Sequence, residues 1–186
     1  ARTGDDAARD GRPEPLTPAE TLERLELAGD KEQMEQWAVA DRSATGIGTV
    51  VPHQKKWLRV GTLLGYRMPG ELNWQIAVLR RLGRTPGGRR QAGLELLRGL
   101  PTPINVKRLA ADETPPPVNA QSLSDFGDGI LLTSGSDCTV LLDTVDVAVD
   151  NRLLLVGAEL RSLVKVSEIV DQLPGVTLLR YTPVAA

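Results

Sequence analysis

Short apolar runs of strand length, separated by turn-forming residues, make up most of the chain from Trp37 onwards. In the run LNWQIAVLRRL, the apolar residues Leu72, Trp74, Ile76 and Val78 alternate with polar or small residues, which is the period of two expected of a half-buried strand. Five short strands joined by turns favour a small antiparallel barrel or sandwich. We therefore predict an all-β fold with a barrel at residues 37–110. The other four runs are WAVA, GIGTVV, LRVGTLLGYR and RQAGLELL.

The strand pattern resumes after the proline-rich stretch ADETPPPVNAQS. Consecutive prolines resist both a helix and a central strand, so residues 111–118 are expected to form a linker. Beyond it, runs such as GILLTS, CTVLLD, RLLLVGAE and VTLLRYTPV predict a second, smaller β-barrel or sandwich at residues 119–186. The segment VSEIVDQLPG is also compatible with one or two helical turns.

The first 36 residues differ from the rest in composition and in the pattern of their apolar residues. Residues 1–15 are charged and lack a period, which is typical of a mobile lead-in. The segment LTPAETLERLEL then predicts a short helix beside the first barrel, because Thr17 can cap it, Pro18 suits the first helical position and Glu20 completes a capping box. Gly29 is a suitable residue to end this helix.

The composition excludes several classes of function. The single cysteine, Cys138, excludes a disulfide framework and a cysteine-based zinc site, and the single histidine, His53, argues against a catalytic triad and most metal sites. No apolar run approaches the roughly 20 residues of a membrane helix, so no membrane insertion is expected. No nucleophile, base or acid pair suggests catalysis. We expect a non-enzymatic, cytoplasmic protein without a metal or cofactor.

The small net charge of −2 conceals a marked asymmetry. Residues 1–36 carry 5 Lys/Arg against 10 Asp/Glu, residues 37–98 carry 11 against 3, and residues 99–186 carry 6 against 11. A basic block between two acidic ones indicates either an anionic partner or complementary surfaces within the chain. Binding of single-stranded nucleic acid needs exposed aromatic residues, and only Trp57 is a candidate, which argues against that class.

The stretch VADRSATGIGTVVP places a polar turn between two apolar, β-branched segments. The carboxylate of Asp41 can accept hydrogen bonds from backbone amides or from a guanine edge, and the Ser43 hydroxyl can donate and accept beside it. Gly46 permits a positive φ or a close approach of a ligand to the backbone. Two interpretations remain open, a purely structural turn and a turn that also holds a ligand.

Asp41-x-Ser43-x-x-Gly46 resembles the D/N-x-S-x-x-G signature of PilZ domains, and the surrounding strands extend the resemblance over residues 37–98. The resemblance implies an antiparallel β-barrel, a role in bacterial signalling and cyclic di-GMP as the ligand, with the motif residues holding a guanine. Family members that bind this nucleotide carry an R-x-x-x-R pair just before the barrel. Here that segment reads LELAGDKEQMEQ, so the chain resembles a degenerate member without the pair.

The leading hypothesis is therefore a non-enzymatic regulatory module that resembles cyclic di-GMP receptors, with arginines of residues 80–90 replacing the missing pair. The alternative is a PilZ-like scaffold that has lost the nucleotide and contacts a protein partner or another domain. The candidate ligand-binding residues are Asp41, Arg42, Ser43, Gly46, Arg80 and Arg81.

Overall fold

The computed structural model describes residues 24–28, 34–52, 56–117, 122–135, 137–143 and 146–184. Within these ranges the chain is almost entirely β, which confirms the predicted fold class. Two closed barrels of six strands each follow one another along the sequence. Among the described residues, no helix has the length and apolar character needed to cross a bilayer.

The first barrel has the strand order β1-β2-β3-β6-β5-β4, and all neighbouring strands pair antiparallel. Pairing of β1 with β4, for example Leu27 with Tyr66, closes the barrel. Its interior is filled by alternate residues of the strands, including the fully buried Trp37 and Leu79. The strands are β1 (Arg24–Ala28), β2 (Met34–Arg42), β3 (Gly46–Val50), β4 (Leu63–Arg67), β5 (Gln75–Arg84) and β6 (Arg90–Leu96).

The second barrel has the strand order β7-β8-β9-β12-β11-β10, and pairing of β10 with β7 closes it. Val140, Leu155 and Leu179 are among the residues that fill its interior. A short 3₁₀ segment at Ser122–Asp125 precedes β8. The strands are β7 (Leu100–Leu109), β8 (Gly127–Ser134), β9 (Asp137–Leu142), β10 (Arg152–Val156), β11 (Arg161–Leu173) and β12 (Val176–Pro183).

The predicted N-terminal helix is wrong at its second half, because Arg24–Ala28 is strand β1; its first half lies outside the described residues. The physical reason is that β1 hydrogen-bonds to both β2 and β4, and without it the barrel would have two open edges. The segment VSEIVDQLPG is likewise no helix, since most of it belongs to β11.

The division between the barrels also differs from the expectation of a linker at residues 111–118. The connection from one barrel to the other is the short segment between Leu96 and Leu100, and β7 pairs with β8 and β10 of the second barrel. Proline is tolerated in β7 because the run PTPIN lies at the start of that strand. The barrels therefore occupy different ranges from those predicted.

The proline-rich stretch is held against the second barrel. The Nη1 atom of Arg152 donates to the carbonyl oxygens of Ala110 at 3.0 Å and Ala111 at 2.5 Å. The Nη2 atom of Arg161 donates to the Pro116 carbonyl oxygen at 3.0 Å. These bonds satisfy backbone carbonyl oxygens of residues 110–117, so this part of the stretch is held against the second barrel as the connection between β7 and the 3₁₀ segment.

The two barrels pack through their outer faces. An apolar cluster joins β5 of the first barrel to four strands of the second. Beside this cluster, the Arg80 guanidinium donates through Nε to Glu95 Oε2 and through Nη2 to Asp171 Oδ2, both at 2.5 Å. Arg80 thus links the first barrel to the second by an ion pair. The buried members of the cluster are Val78, Leu97, Leu132, Leu141, Leu173 and Leu178.

Thr49 and Thr177, which are fully buried, provide a matched test of the barrel interiors. The Thr49 hydroxyl donates to the Ala92 carbonyl at 3.4 Å, whereas the Thr177 hydroxyl has no hydrogen-bond partner among the described residues. We expect Thr177→Val to raise the free energy of unfolding by about 1 kcal/mol, because it removes an unsatisfied polar group. Thr49→Val should lower it by about 1 kcal/mol. Urea denaturation measures the free energy of unfolding of both variants. Equal losses of stability in the two would contradict the difference in hydrogen bonding between Thr49 and Thr177.

Of the two tyrosines, Tyr181 should remain largely protonated in the native protein at pH 10, and the pKa of Tyr66 is also raised. Burial, with a contribution from Glu71, raises the pKa of Tyr66, while Arg42 acts in the opposite direction. Burial and a hydrogen bond with Cys138 raise the pKa of Tyr181 to about 12. Unfolded tyrosine titrates near pH 10.

Because the folded-state pKa of Tyr181 is raised, the stability that it contributes is present below pH 10 and is lost as the pH rises towards 12. The raised pKa of Tyr66 acts in the same direction. At pH 10 the tyrosinate absorbance should therefore be lower in the native protein than in the chain unfolded by urea. A full tyrosinate step at pH 10, with the native circular dichroism retained, would contradict the burial of these phenols.

Candidate ligand-binding site

The turn DRSATG joins β2 to β3, and its serine mainly stabilises the turn itself. The Ser43 amide donates to the Gly46 carbonyl at 2.8 Å, and the Ser43 hydroxyl donates to the same oxygen at 3.3 Å. The hydroxyl also accepts from the Thr45 amide at 3.4 Å. A Cβ at Gly46 would lie 3.0 Å from the Leu94 carbonyl oxygen, so this position favours glycine for reasons of packing.

Asp41 has a different role from a simple turn former. Its register with β3 is shifted by one residue, because Val39 pairs with Thr49 but Asp41 pairs with Gly48. A β-bulge of this kind changes the direction of the strand and places consecutive side chains on one face. The Asp41 carboxylate lies over the neighbouring strand, where its Oδ1 accepts from the Gly48 amide at 2.8 Å.

Glycine at position 48 is required by this arrangement. A Cβ on Gly48 would lie 2.7 Å from the Asp41 Cγ, which is closer than real side chains approach. On the neighbouring strand β6, Gly93 is in a similar position under Arg81, since a Cβ there would lie 3.3 Å from the Arg81 Cβ and 3.4 Å from its Nε. Each glycine therefore leaves room for a charged side chain to cross its strand.

These residues form one continuous row on the outer face of the first barrel. Asp41 pairs with Gly48, Gly48 with Gly93, and Gly93 with Arg81, across β2, β3, β6 and β5. The row begins with a carboxylate, continues over two glycines and ends with a guanidinium. It therefore forms a shallow, polar trough with opposite charges at its two sides.

A cavity of about 290 Å³ lies over this part of the barrel. Such a volume is close to the lower limit of pockets that hold small molecules. Arg84 and Gln91 add polar groups to its lining, while Arg81 is not engaged in an ion pair with any described residue. The lining consists of Ala40, Asp41, Gly48, Thr49, Arg81, Gly83, Arg84, Gln91 and Ala92.

A second β-bulge separates the two candidate arginines. Leu79 pairs with Leu94 and Arg81 with Gly93, so Arg80 is the extra residue of β5. Both arginines consequently point outward, but Arg80 contacts Glu95 and the second barrel, whereas Arg81 lines the cavity. The structure thus places Arg81 beside Asp41 and directs Arg80 to the interface between the barrels.

The remaining candidates lie beside the cavity but do not line it. Arg42 is exposed at the end of β2, near enough to Tyr66 for its charge to act on that phenol. Ser43 and Gly46 belong to the turn at the same end of the barrel. Of the six candidates, only Asp41 and Arg81 line the cavity.

Three residues of the site were not predicted as ligand-binding residues, namely Gly48, Gly93 and Gln91, whereas Arg84 lies in the range 80–90 whose arginines were expected to replace the missing pair. A signal for the glycines exists in the sequence, because isolated glycines inside strand patterns often mark a close approach to the backbone. The segments GIGTVV and QAGLELL contain these glycines. The described residues include no group of three or more His, Cys, Asp or Glu side chains that could hold a metal ion.

No model of a protein family matches the sequence, and no curated protein is significantly similar to it. Among solved structures, MrkH of K. pneumonia in its apo state is similar over 87% of this chain and 78% of its own, with 9% sequence identity and a TM-score of 0.33. The MrkH–c-di-GMP complex is similar over 87% and 80%, with 9% identity and a TM-score of 0.30. TM-scores this low do not support a function for this chain, which must be inferred from the geometry of the site.

Gly48→Ala should disturb the trough, while Gly83→Ala serves as its matched control. A methyl group at position 48 displaces the Asp41 carboxylate from its amide partner, and we expect a loss of about 1–3 kcal/mol in the free energy of unfolding. Gly83 lies on the same face with nothing within 4 Å of an added Cβ. Its alanine variant should be neutral or stabilised by about 0.5 kcal/mol. Thermal unfolding measures the stability of both variants. A Gly48→Ala variant as stable as the control would contradict the position of the Asp41 carboxylate over Gly48.

Proposed function

We propose that the protein is a non-enzymatic regulatory binding module that takes up an anionic guanine nucleotide in the trough of the first barrel. The first candidate for this ligand is cyclic di-GMP. The observation that carries the proposal is the row Asp41–Gly48–Gly93–Arg81, in which a carboxylate and an arginine side chain lie over two adjacent glycines and line one cavity. No arrangement of this kind is needed to close a barrel.

The chemistry of the row suits a guanine. The base presents an exocyclic amino group as donor and the O6 and N7 atoms as acceptors. Asp41 uses one carboxylate oxygen for the Gly48 amide, which leaves the other oxygen to accept from the base. Arginine donates in a planar fork that matches O6 and N7 or a phosphate. The two glycines let the Asp41 carboxylate and the Arg81 side chain cross their strands, so that both charged groups reach the same cavity.

The two arginines of the cavity, Arg81 and Arg84, replace the R-x-x-x-R pair that the sequence lacks. They lie three residues apart near the end of β5, so both can reach the same cavity. Arg84 contacts the Gly88 carbonyl at 3.4 Å, a weak bond that a phosphate would displace. The proposal therefore assigns base recognition to Asp41 and charge neutralisation to these arginines.

A second candidate function, a scaffold that connects protein parts without a nucleotide, is favoured by a different observation. The contact between the barrels is a complete apolar cluster flanked by the ion pairs of Arg80 with Glu95 and Asp171. A rigid double barrel of this kind can present surfaces to a protein partner. In that case the trough would serve only to hold the Asp41 turn in shape.

Isothermal titration with cyclic di-GMP distinguishes these functions. We expect wild-type binding that Arg81→Gln weakens about 10- to 100-fold, because one charge-assisted hydrogen bond contributes about 1.5–3 kcal/mol. Arg98→Gln is the matched control, since Arg98 is exposed and does not line the cavity. It should bind as the wild type does.

The outcome that would contradict nucleotide binding is the absence of heat at millimolar ligand in low salt. Equal weakening by Arg81→Gln and Arg98→Gln would indicate an unspecific effect of positive charge and would also contradict the proposed site. In either case the scaffold function would remain as the explanation of the fold.

A further inference from the structure

Two neighbouring segments at one end of the first barrel carry positive charge without any carboxylate of their own. They are the β5–β6 hairpin and the connection from β3 to β4. Residues 51–62 and 81–94 together contain seven Lys or Arg and no Asp or Glu. The basic end, as we call this surface, consists of Lys56, Arg59, Arg84, Arg89 and Arg90.

The backbone pairing brings the two segments together. The Val51 amide donates to the Arg90 carbonyl at 3.0 Å, and the Gly61 amide donates to the Leu79 carbonyl at 2.7 Å. The connection therefore leaves β3 beside the β5–β6 turn and returns beside β5. It crosses the same end of the barrel from which the hairpin projects.

The connection is held to the barrel by its apolar side chains and exposes its cations. Leu58 belongs to the interior cluster of the first barrel, and Trp57 packs against that cluster. Lys56 and Arg59, on either side of this pair, are exposed. The charges are thus fixed on the surface beside the hairpin.

The hairpin adds a pair of like charges in direct register. Arg84 on β5 pairs with Arg90 on β6. Like charges directly opposite each other destabilise a sheet. Arg90 forms no ion pair with a described residue, and the Arg84 guanidinium makes its long contact of 3.4 Å with the Gly88 carbonyl. An external anion would relieve this repulsion.

The tip of the hairpin is slender and well defined. The Thr85 amide donates to the Arg89 carbonyl at 2.7 Å, and the Arg89 amide donates to the Thr85 hydroxyl at 3.1 Å. Gly88 has a φ of +80°, which suits glycine. With Pro86 and Gly87, it leaves the tip without a bulky side chain. A two-stranded ribbon of this width fits the major groove of B-form DNA.

The chemistry of the basic end favours duplex DNA over other anionic partners. Protein interfaces and membrane surfaces are bound with large apolar side chains, and residues 85–88 contain none. Single strands stack on exposed aromatic residues, whereas Trp57 packs against the barrel interior. The major groove of duplex RNA is too narrow for a ribbon. Phosphates of DNA, in contrast, are bound by arginine and lysine without aromatic residues.

We infer that the basic end binds the phosphate backbone of double-stranded DNA, with the hairpin tip entering a groove. Because the tip offers no side chain that can distinguish bases, the binding does not depend on sequence. The inference goes beyond the proposed nucleotide site and does not rest on it. Of the five cations of the basic end, only Arg84 also lines the cavity.

Fluorescence anisotropy of an end-labelled DNA duplex, titrated with the full chain and without any nucleotide, tests the inference. We expect the logarithm of the binding constant to fall linearly with the logarithm of the salt concentration. The slope should be about −4, because about 0.9 counterions are released for each phosphate that a cation contacts. Duplexes of unrelated sequence should bind equally well.

Arg90→Gln should weaken binding about tenfold at about 50 mM salt and reduce the salt slope by about 1. It also removes the repulsion from Arg84, so the thermal unfolding temperature should not fall. Arg59→Gln, in the other segment, should weaken binding in the same way. Arg98→Gln is the matched control, since Arg98 is exposed and follows β6 at the opposite end of the barrel. It should bind as the wild type does.

The inference is overturned if the full chain does not bind the duplex in low salt, or if Arg98→Gln weakens binding as much as Arg90→Gln and Arg59→Gln do. Equal or tighter binding of an RNA duplex of the same sequence would also overturn it. So would binding to vesicles of anionic lipid, but not to DNA, that Arg90→Gln abolishes. Failure of cyclic di-GMP to bind would contradict the proposed function and would leave the DNA result to be decided by these measurements.

Discussion

Closure of each six-stranded sheet is the constraint on which the rest of the structure depends. A closed barrel has no edge strands, so every strand presents alternate residues to the interior and to the outer surface. Two small interiors are filled mainly by leucine and valine. All further contacts must then form on the outer surfaces. The contact between the barrels and the glycine trough both arise in this way.

Strand β5 shows how one outer surface serves two purposes. Its Val78 is fully buried in the contact between the barrels, and Arg80 forms ion pairs at the edge of that contact. One residue later, Arg81 lies over Gly93 and lines the cavity. The bulge at Arg80 makes this possible, because it turns two consecutive side chains outward but away from each other. A regular strand would have directed one of them into the core.

Much of the architecture could be predicted from the sequence, because strand length and period-two alternation are local properties. The all-β class and the presence of two modules follow from such patterns, whereas Asp41 was singled out by the motif Asp41-x-Ser43-x-x-Gly46. Strand β1 could not be predicted in this way, since its leucines equally fit the helix that the capping box upstream predicts, and only its pairing with β2 and β4 decides the conformation. The position of β7 likewise depends on pairing with the second barrel.

The site was predictable only in part for a related reason. Arg80 and Arg81 are adjacent and chemically identical, and no local pattern distinguishes them. Their separation depends on the register of β5 against β6, which is a property of two strands. The same applies to Gly48 and Gly93, whose significance appears only when the row across four strands is assembled. The trough is therefore a consequence of register rather than of any single motif.

The most direct test of the central claim, that the row from Asp41 to Arg81 is a ligand site, is a nuclear magnetic resonance titration of the labelled chain with cyclic di-GMP. The account predicts saturable shifts of the Gly48 and Gly93 amides and of the Arg81 Nε–H signal, with the interior of the second barrel unchanged. Shifts confined to other parts of the surface, or no shifts at millimolar nucleotide, would contradict it.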